Sequence, residues 1–559
     1  MLNGAICSVQ WPINWGPSRG HVGEDMSRAV AVLGTGSDVG KSLITAGLCR
    51  LLHRAGVRVA PFKAQNMSLN SFVTPDGGEM GRAQVLQAQA CGLAPHVDMN
   101  PILLKPEADA KSQVIVQGKV WRSQEARDYF EGKSRLFEFV KESYDRLAKQ
   151  YEVIVIEGAG SAAEMNLRDR DIVNWPVVEM ADAAVVLVAD IDRGGVFAQV
   201  IGTINLLAPE ERRRVIGVVI NKFRGDLTLF EDGVKILEDR TGVPVLGVVP
   251  FLRHLELDQE DSVDIERSRM TPFEAETVNI AVVLLPHMSN FTDFNQLGAE
   301  SDVALRYVST WKDMSGADVV ILPGSKTTIA DLDYAKGREF EPAIQMHRQR
   351  GGELVGICGG FQMLGHEVTD PHGMETGGVA KGFGLLDVRT ELSRKKQTIQ
   401  VTARSLFWGD TKDCVIDGYE IHMGQTTSST GIVPCFEIIR HAETSPSSQR
   451  VLSSKDHPQG AREFQRLDGA MSPDGRVWGT YIHGVFDQPE FRRQWLNRVR
   501  ARKQLSALPV EVSRAVSSRL DQALDRWADH IGAHLHLKPI YSAIKPSQNH
   551  GSSMSSHSR

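Results

Sequence analysis

Six short runs rich in β-branched residues, each followed by a stretch of helical pattern, constrain this chain's fold more than any other feature. They are RAVAVLG, VRVAPFKA, YEVIVIEGAG, AAVVLVADID, VIGVVINKF and PVLGVVPF. Near-continuous Val and Ile leave no polar face, so such strands are buried on both sides. Strands of that kind joined through helices make a parallel sheet wrapped by helices. The rhythm then breaks at a polar segment, LELDQEDSVDIERSRMTPFEAET, and restarts with NIAVVLL, ADVVILPG and ELVGICGG, followed later by GYEIHMG and RVWGTYIHGVF. The expected fold class is therefore α/β, with two domains, each a mainly parallel sheet flanked by helices. The boundaries predicted are residues 28–260 for the first domain, 261–278 for a linker and 279–500 for the second. Closing helices are expected over 501–540.

Composition narrows the function classes. The 559 residues are 42% hydrophobic, and 63 Lys and Arg face 69 Asp and Glu, for a net charge of -6. That balance gives neither nucleic acid nor an anionic membrane an electrostatic handle. No apolar run approaches the length of a membrane span. The six cysteines, Cys7, Cys49, Cys91, Cys358, Cys414 and Cys435, form no CxxC pair, which fits a reducing cytoplasm. Residues 1–27 lack a signal-peptide pattern and end near a second methionine, Met26. An upstream extension or misassigned start is the expectation there, and a disordered Ser-rich tail is expected over 541–559.

Two motifs carry chemistry. The first is VLGTGSDVGKS, Val32 to Ser42, which follows a strand and opens a helical pattern. Its glycines let backbone amides turn toward phosphate oxygens, and the helix N-terminus adds positive potential. Gly34, Thr35, Gly36 and Gly40 form the loop, Lys41 reaches terminal phosphates, and Ser42 is a ligand for Mg²⁺. Five residues, one more than usual, separate Gly34 from Gly40. Glu157, at the end of VIVIE, places a hard oxygen at the carboxyl edge of the sheet, where Mg²⁺ needs one. Asp190 and Asp192 are weaker candidates of the same kind. Asn221, in VINKF, is a candidate partner for adenine. The expected small molecules are thus ATP and Mg²⁺.

The second motif is GELVGICGGFQMLG, a strand-turn-helix elbow with Cys358 at its apex. Glycines permit the sharp turn, and a helix N-terminus stabilises a thiolate. His483, in GTYIHGVF, follows a later strand and is the candidate base. Gly359, and Gly324 with Ser325 in ILPGSK, are candidates for the oxyanion amides. His530, His534 and His536, in DHIGAHLHL, are read as polar positions on a closing helix rather than as metal ligands.

The loop with its extra residue, EGAGS and VINKF, in that order, resemble the dethiobiotin synthetase-like branch of P-loop proteins. The block PFKAQNMSLNSFVTPDGGEMGRAQ is similar to the cobyric/cobyrinic acid synthase family. The elbow with His483 resembles that family's class I glutamine amidotransferase domain. The resemblance spans about Arg28 to Arg500. It implies that Lys63, Gln65, Asn66, Asn70 and Ser71 border the phosphates and a substrate carboxylate. It also implies that Gln362, Tyr419, Glu420 and His422 shape a glutamine pocket. Most class I domains place a Glu two residues after the His. Here that position is Val485, as in the cobyric/cobyrinic variant, so the group that orients His483 stays open. The implied reaction is ATP- and glutamine-dependent amidation of the b, d, e and g carboxylates of adenosylcobyrinic acid a,c-diamide. Two alternatives stand: a cobyrinic acid a,c-diamide synthase, or a non-catalytic ATP-dependent switch. Switches of the partitioning type carry a Lys early in the loop, where this chain has Gly34-Thr35-Gly36, and have no use for a Cys-His pair. No nucleic-acid or membrane partner is expected, and a homo-oligomer is compatible with the sequence.

Overall fold

The computed structural model describes residues 27–108, 111–125, 133–252, 255, 257, 271–407, 414–428, 432–441, 466–517 and 519–545. The extension before residue 27, most of the linker and the chain beyond 545 lie outside the described residues.

The six runs of the first half form one parallel sheet. Its order is Val245–Pro250, Val215–Phe223, Ala184–Asp190, Arg28–Gly34, Val153–Glu157 and Val59–Phe62. Strand order reverses around Arg28–Gly34, so a crevice opens beyond the carboxyl ends of the central strands. The loop after Gly34 and the carboxylate of Glu157 both lie at that edge. The block after Lys63 builds two smaller sheets. Gln65–Met67, Ile102–Ala108, Lys111–Val116 and Lys119–Glu125 make a four-stranded sheet, and Ser71–Val73 pairs with Glu79–Gly81 as a hairpin. The cause is alternation hidden among polar residues: Ile102, Leu104, Val114 and Val116 are buried in the core of this half.

The second domain repeats the plan. Val303–Val308, Val278–Val283, Val319–Leu322, Glu353–Ile357 and Val477–Thr480 are parallel, with Ala470–Met471 antiparallel at one edge. Beside it a long antiparallel pair, Val388–Ser405 with Val415–Ser428, carries the GYEIHMG segment. The helix Pro489–Arg502 is fixed to this domain by two buried arginines. Arg492 pairs with Glu300 at 2.7 Å, and Arg493 pairs with Asp302 at 2.9 Å.

The last two helices do not stay with the second domain. Arg519–His534 packs on the helix Lys41–Arg54, and Lys538–Ile544 lies against the first sheet. Trp527 Nε1 donates to the Leu43 carbonyl at 2.7 Å, and Arg50 pairs with Asp525 at 2.8 Å. Gly47 lets the two helices approach closely, since a Cβ there would stand 2.3 Å from Ile531 Cδ1 and 2.9 Å from Trp527 Nε1. His530 bonds to the Pro250 carbonyl and His534 to its own helix, as polar positions on a docked helix. Among the described residues no cluster of His, Cys, Asp or Glu suits a metal ion. No described helix is long and apolar enough to cross a membrane.

Candidate active sites

The first site forms where the central strands end. Gly40, with φ 94°, caps the helix Lys41–Arg54 in a left-handed conformation that favours glycine. The Lys41 ammonium reaches back across the loop to the carbonyls of Gly36 (2.8 Å) and Gly160 (2.9 Å). Thr35 N–H donates to the Val188 carbonyl, which anchors the start of the loop to the neighbouring strand. Ser42 Oγ donates to Glu157 Oε1 at 2.7 Å, and Lys63 Nζ lies 2.8 Å from the same oxygen. Gln87 and Gln84 donate to the other oxygen. Burial alone would push the Glu157 carboxyl up, but Lys63 and the hydrogen bonds from Gln87 and Ser42 hold it below the usual range. Ser42 and Glu157 together fit Mg²⁺, an ion that takes one or two protein oxygens and completes its shell with phosphate and water.

Four further residues are expected around this carboxylate. Asn66 Nδ2 donates to Gln84, which touches Glu157, and Gln65 lies beside Asn66 in the same strand. Asn70 and Ser71 are buried at the start of the hairpin. Other candidates are placed differently. The Asn221 amide, expected at adenine, donates to the Val39 carbonyl at 2.9 Å and lies directly under Gly40. It braces the loop, because its strand ends beneath the turn. Asp190 pairs with Lys222 at 3.0 Å, and Asp192 with Arg224 at 2.6 Å. Both are occupied by local cations.

The second site is built around Cys358. Its φ of 50° and ψ of -106° are strained for a residue with a side chain, as at a nucleophile elbow. The turn is tight enough to require its glycines: a Cβ on Gly360 would stand 1.9 Å from the Leu322 carbonyl. Parallel pairing of Ile357 with Thr480 brings the elbow beside the loop that carries His483. His483 is buried, and Cys358 is among the groups that raise its basicity. Gly324 lies against the His483 ring, and Ser325 N packs against Gly359, so the three backbone positions expected at an oxyanion are together.

The orienting group is Asp293, which sequence reasoning missed. Its Oδ2 lies 2.7 Å from His483 Nδ1, and its Oδ1 accepts from Gly484 N–H at 3.1 Å. Burial would lower the His483 pKa. Asp293 and Cys358 outweigh it and push the value up to about 10. Asp293 belongs to the short turn Phe291–Phe294, 190 residues from the histidine. The available signal was an Asp in a polar turn at the carboxyl edge of a parallel strand.

Gln362 and His422 line one pocket with Cys358. Gln362 Nε2 donates to Tyr481 Oη at 3.2 Å, while its Oε1 is buried without a hydrogen-bond partner. A buried acceptor left open at a pocket is suited to a ligand N–H. His422 stacks on Tyr481 at 3.8 Å and bonds to Glu420, which also holds Arg466. Tyr419 is displaced from its expected place. It stacks on His483 from behind, and its hydroxyl donates to the Ser71 carbonyl at 3.3 Å. Strand alternation explains this: Tyr419 pairs directly with His483 across a β-bridge.

Lys105 and Gln113, from the first half of the chain, line the same pocket, as do Lys326, Glu375 and Lys396. Glu79 accepts from Lys105 at 2.8 Å and from Lys396, a residue of the second domain. Against its own burial, these two lysines hold Glu79 well below the carboxylate range. Burial brings Lys396 down to about 8 despite Glu79, and burial lifts Glu375 to about 7.

Comparison with known proteins places both halves of the chain in known families. Residues 30–263 match the CobQ/CobB/MinD/ParA nucleotide binding domain, and residues 279–491 match the CobB/CobQ-like glutamine amidotransferase domain. The cobyric acid synthase of Syntrophobacter fumaroxidans is 46% identical over 525 residues, covering 93% of this chain and 99% of that protein. That of Klebsiella pneumoniae strain 342 is 45% identical, covering 94% and 99%. That of Streptococcus sanguinis is 45% identical, covering 93% and 99%. The chain belongs to the cobyric acid synthase family.

Proposed function

We infer that this chain is a glutamine-hydrolysing, ATP-dependent ligase of cobalamin biosynthesis. It amidates the b, d, e and g carboxylates of adenosylcobyrinic acid a,c-diamide. One observation carries the reading beyond family likeness: side chains from the ATP-binding half wall the pocket that holds Cys358. Two chemistries that share a wall serve one reaction.

A carboxylate does not condense with ammonia at neutral pH without activation. In the first site the Lys41 ammonium and the loop amides hold ATP, with Lys63 beside the carboxylate to be activated. A carboxylate oxygen attacks the terminal phosphorus, ADP leaves, and an acyl phosphate forms. Mg²⁺, held by Ser42 and Glu157, would supply charge neutralisation when bound. In the second site Cys358, its proton already held by His483, attacks the glutamine carboxamide carbon. The oxyanion faces the amides near Gly324, Ser325 and Gly359. His483, held by Asp293, returns the proton to the departing nitrogen, which leaves as neutral ammonia. Water then releases glutamate from the thioester. Ammonia attacks the acyl phosphate, giving the amide and phosphate.

The test is mass spectrometry of the corrin product after incubation with glutamine, ATP and Mg²⁺. Four successive amidations are expected. In Cys358→Ala they should vanish with glutamine and return with ammonia. Glutamine-dependent ATP hydrolysis without amidation of this corrin would refute the substrate assignment.

A further inference from the structure

The two domains are joined at one point by an exchange of asparagines. Asn290 Oδ1 accepts from Ser71 N–H at 3.0 Å, and Asn70 Oδ1 accepts from Phe291 N–H at 3.0 Å. Asn70, Ser71 and Asn290 are buried, so the first of these bonds satisfies a backbone group shielded from water. Asn290 adopts the left-handed conformation (φ 53°, ψ 44°), which Asn tolerates better than most residues.

Asn290 leads directly into the short turn that carries Asp293. Asp293 N–H donates to the Asn290 carbonyl at 3.0 Å. The carboxylate on that turn then holds both His483 Nδ1 and Gly484 N–H. Ser71 is gripped a second time, since its carbonyl accepts from Tyr419. The Tyr419 ring lies over His483 with centroids 5.3 Å apart, and the two backbones exchange hydrogen bonds of 3.2 and 2.8 Å. Phe72 packs edge-on against the same tyrosine, and Gln400 donates to the Val73 carbonyl. The segment Asn70–Val73 is thus in register with both supports of the histidine.

We propose that Asn290, clasped by Asn70 of the ATP-binding half, is a positioning residue of the glutaminase that sets Asp293 against His483. Asn290 lies in the wall of the pocket that holds Cys358, with its amide oxygen committed to Ser71. It acts by fixing the turn on which the orienting carboxylate rides. The inference rests on the glutaminase reading given above.

Steady-state glutaminase kinetics on the full chain test it, with melting temperature as a control for folding. Asn290→Gly keeps the left-handed backbone and removes the amide. It should lower kcat about thirtyfold with KM for glutamine within about twofold, because loss of one oriented carboxylate affects the transition state more than substrate binding. Asn290→Asp keeps the acceptor oxygen for Ser71 and should recover to within about threefold of wild type. Asn70→Ala, in the other domain, should lower kcat in the same direction as Asn290→Gly. A folded Asn290→Gly or Asn70→Ala enzyme with wild-type kcat would overturn the proposal. So would a fall in kcat that Asn290→Asp does not rescue. If Asn290→Gly fails to fold, Asn70→Ala decides alone. Absence of Cys358-dependent glutaminase in the wild-type protein would instead refute the underlying reading.

Discussion

Asp293→Asn is the sharpest test of the second site. The carboxylate accepts two hydrogen bonds, from His483 Nδ1 and from Gly484 N–H, and both it and the imidazole are buried. Asparagine matches its shape but can offer only one acceptor oxygen. If that oxygen stays with Gly484, the amide N–H₂ faces Nδ1, which must then become an acceptor. The imidazole proton moves to Nε2, and the ring can no longer take a proton from Cys358. Wrong-tautomer variants of this kind in Ser-His-Asp enzymes lose about 10⁴ in kcat, and a loss of about 10³ is the expectation for a more acidic thiol nucleophile. The assay is glutamate release at saturating glutamine, with ammonia-dependent corrin amidation as the internal control. That second activity bypasses Cys358 and should stay within about threefold of wild type. The pH dependence supplies a further sign. In the wild type the imidazolium persists until the pH rises through about 10, because Asp293 and Cys358 outweigh burial. Removing the carboxylate removes the stronger support, so the alkaline limb of the glutaminase profile should move to lower pH. A variant within threefold of wild type in glutaminase kcat, with an unmoved alkaline limb, would refute the assignment.

Two further outcomes concern the seams of the molecule. Glu79→Gln leaves Lys105 and Lys396 buried without their counter-charge and should cost about 3 kcal/mol, read from the denaturant midpoint at pH 7. The folded carboxyl is held below its unfolded value, so its contribution is present above about pH 4.5 and lost on acidification. The gap between wild type and variant should therefore narrow as the pH falls below 4.5, and a constant gap would contradict the ion-pair origin. Trp527→Ala removes a buried indole and its bond to Leu43 and should cost about 3 kcal/mol. A change under about 1 kcal/mol would mean that the terminal helix contributes little to the first domain.

What could be read from the sequence was local. The phosphate loop, the Cys358 elbow and the buried strands each announce themselves within a dozen residues, because their chemistry depends on neighbours in the chain. The rest depends on neighbours in space. Asp293 sits in a turn with no motif of its own, and only the order of the strands in the second sheet brings His483 near it. The Lys105, Glu79 and Lys396 cluster joins segments more than 300 residues apart. Tyr419 and Asn221 are recognisable as belonging to their sites, but a β-bridge sets one against the histidine, and the end of its strand sets the other under the loop. The docking of the last helix on the first does leave a trace: Leu520, Leu524, Trp527 and Ile531 recur at helical spacing. Periodicity reveals an apolar face without naming the surface that covers it.

That docking bears on how the two sites cooperate. A neutral ammonia molecule released into water would be protonated before it met an activated carboxylate, so the relative placement of the two domains becomes part of the chemistry. A single linker would leave the second domain to find its place from a broad range of orientations. Here the chain leaves the first sheet after Pro250, builds the second domain, and returns through Arg519–His534 to the helix that begins with Lys41. Both ends of the amidotransferase domain are therefore tied to the ATP-binding domain. Tethering raises the effective concentration of one face against the other without any new contact between them. The buried contacts at the shared wall, the asparagine clasp and the Glu79 ion pairs, therefore need not be strong enough to hold two free proteins together. They have only to select one orientation among the few that the double tether allows, so single substitutions in them should alter coupling between the sites before they separate the domains.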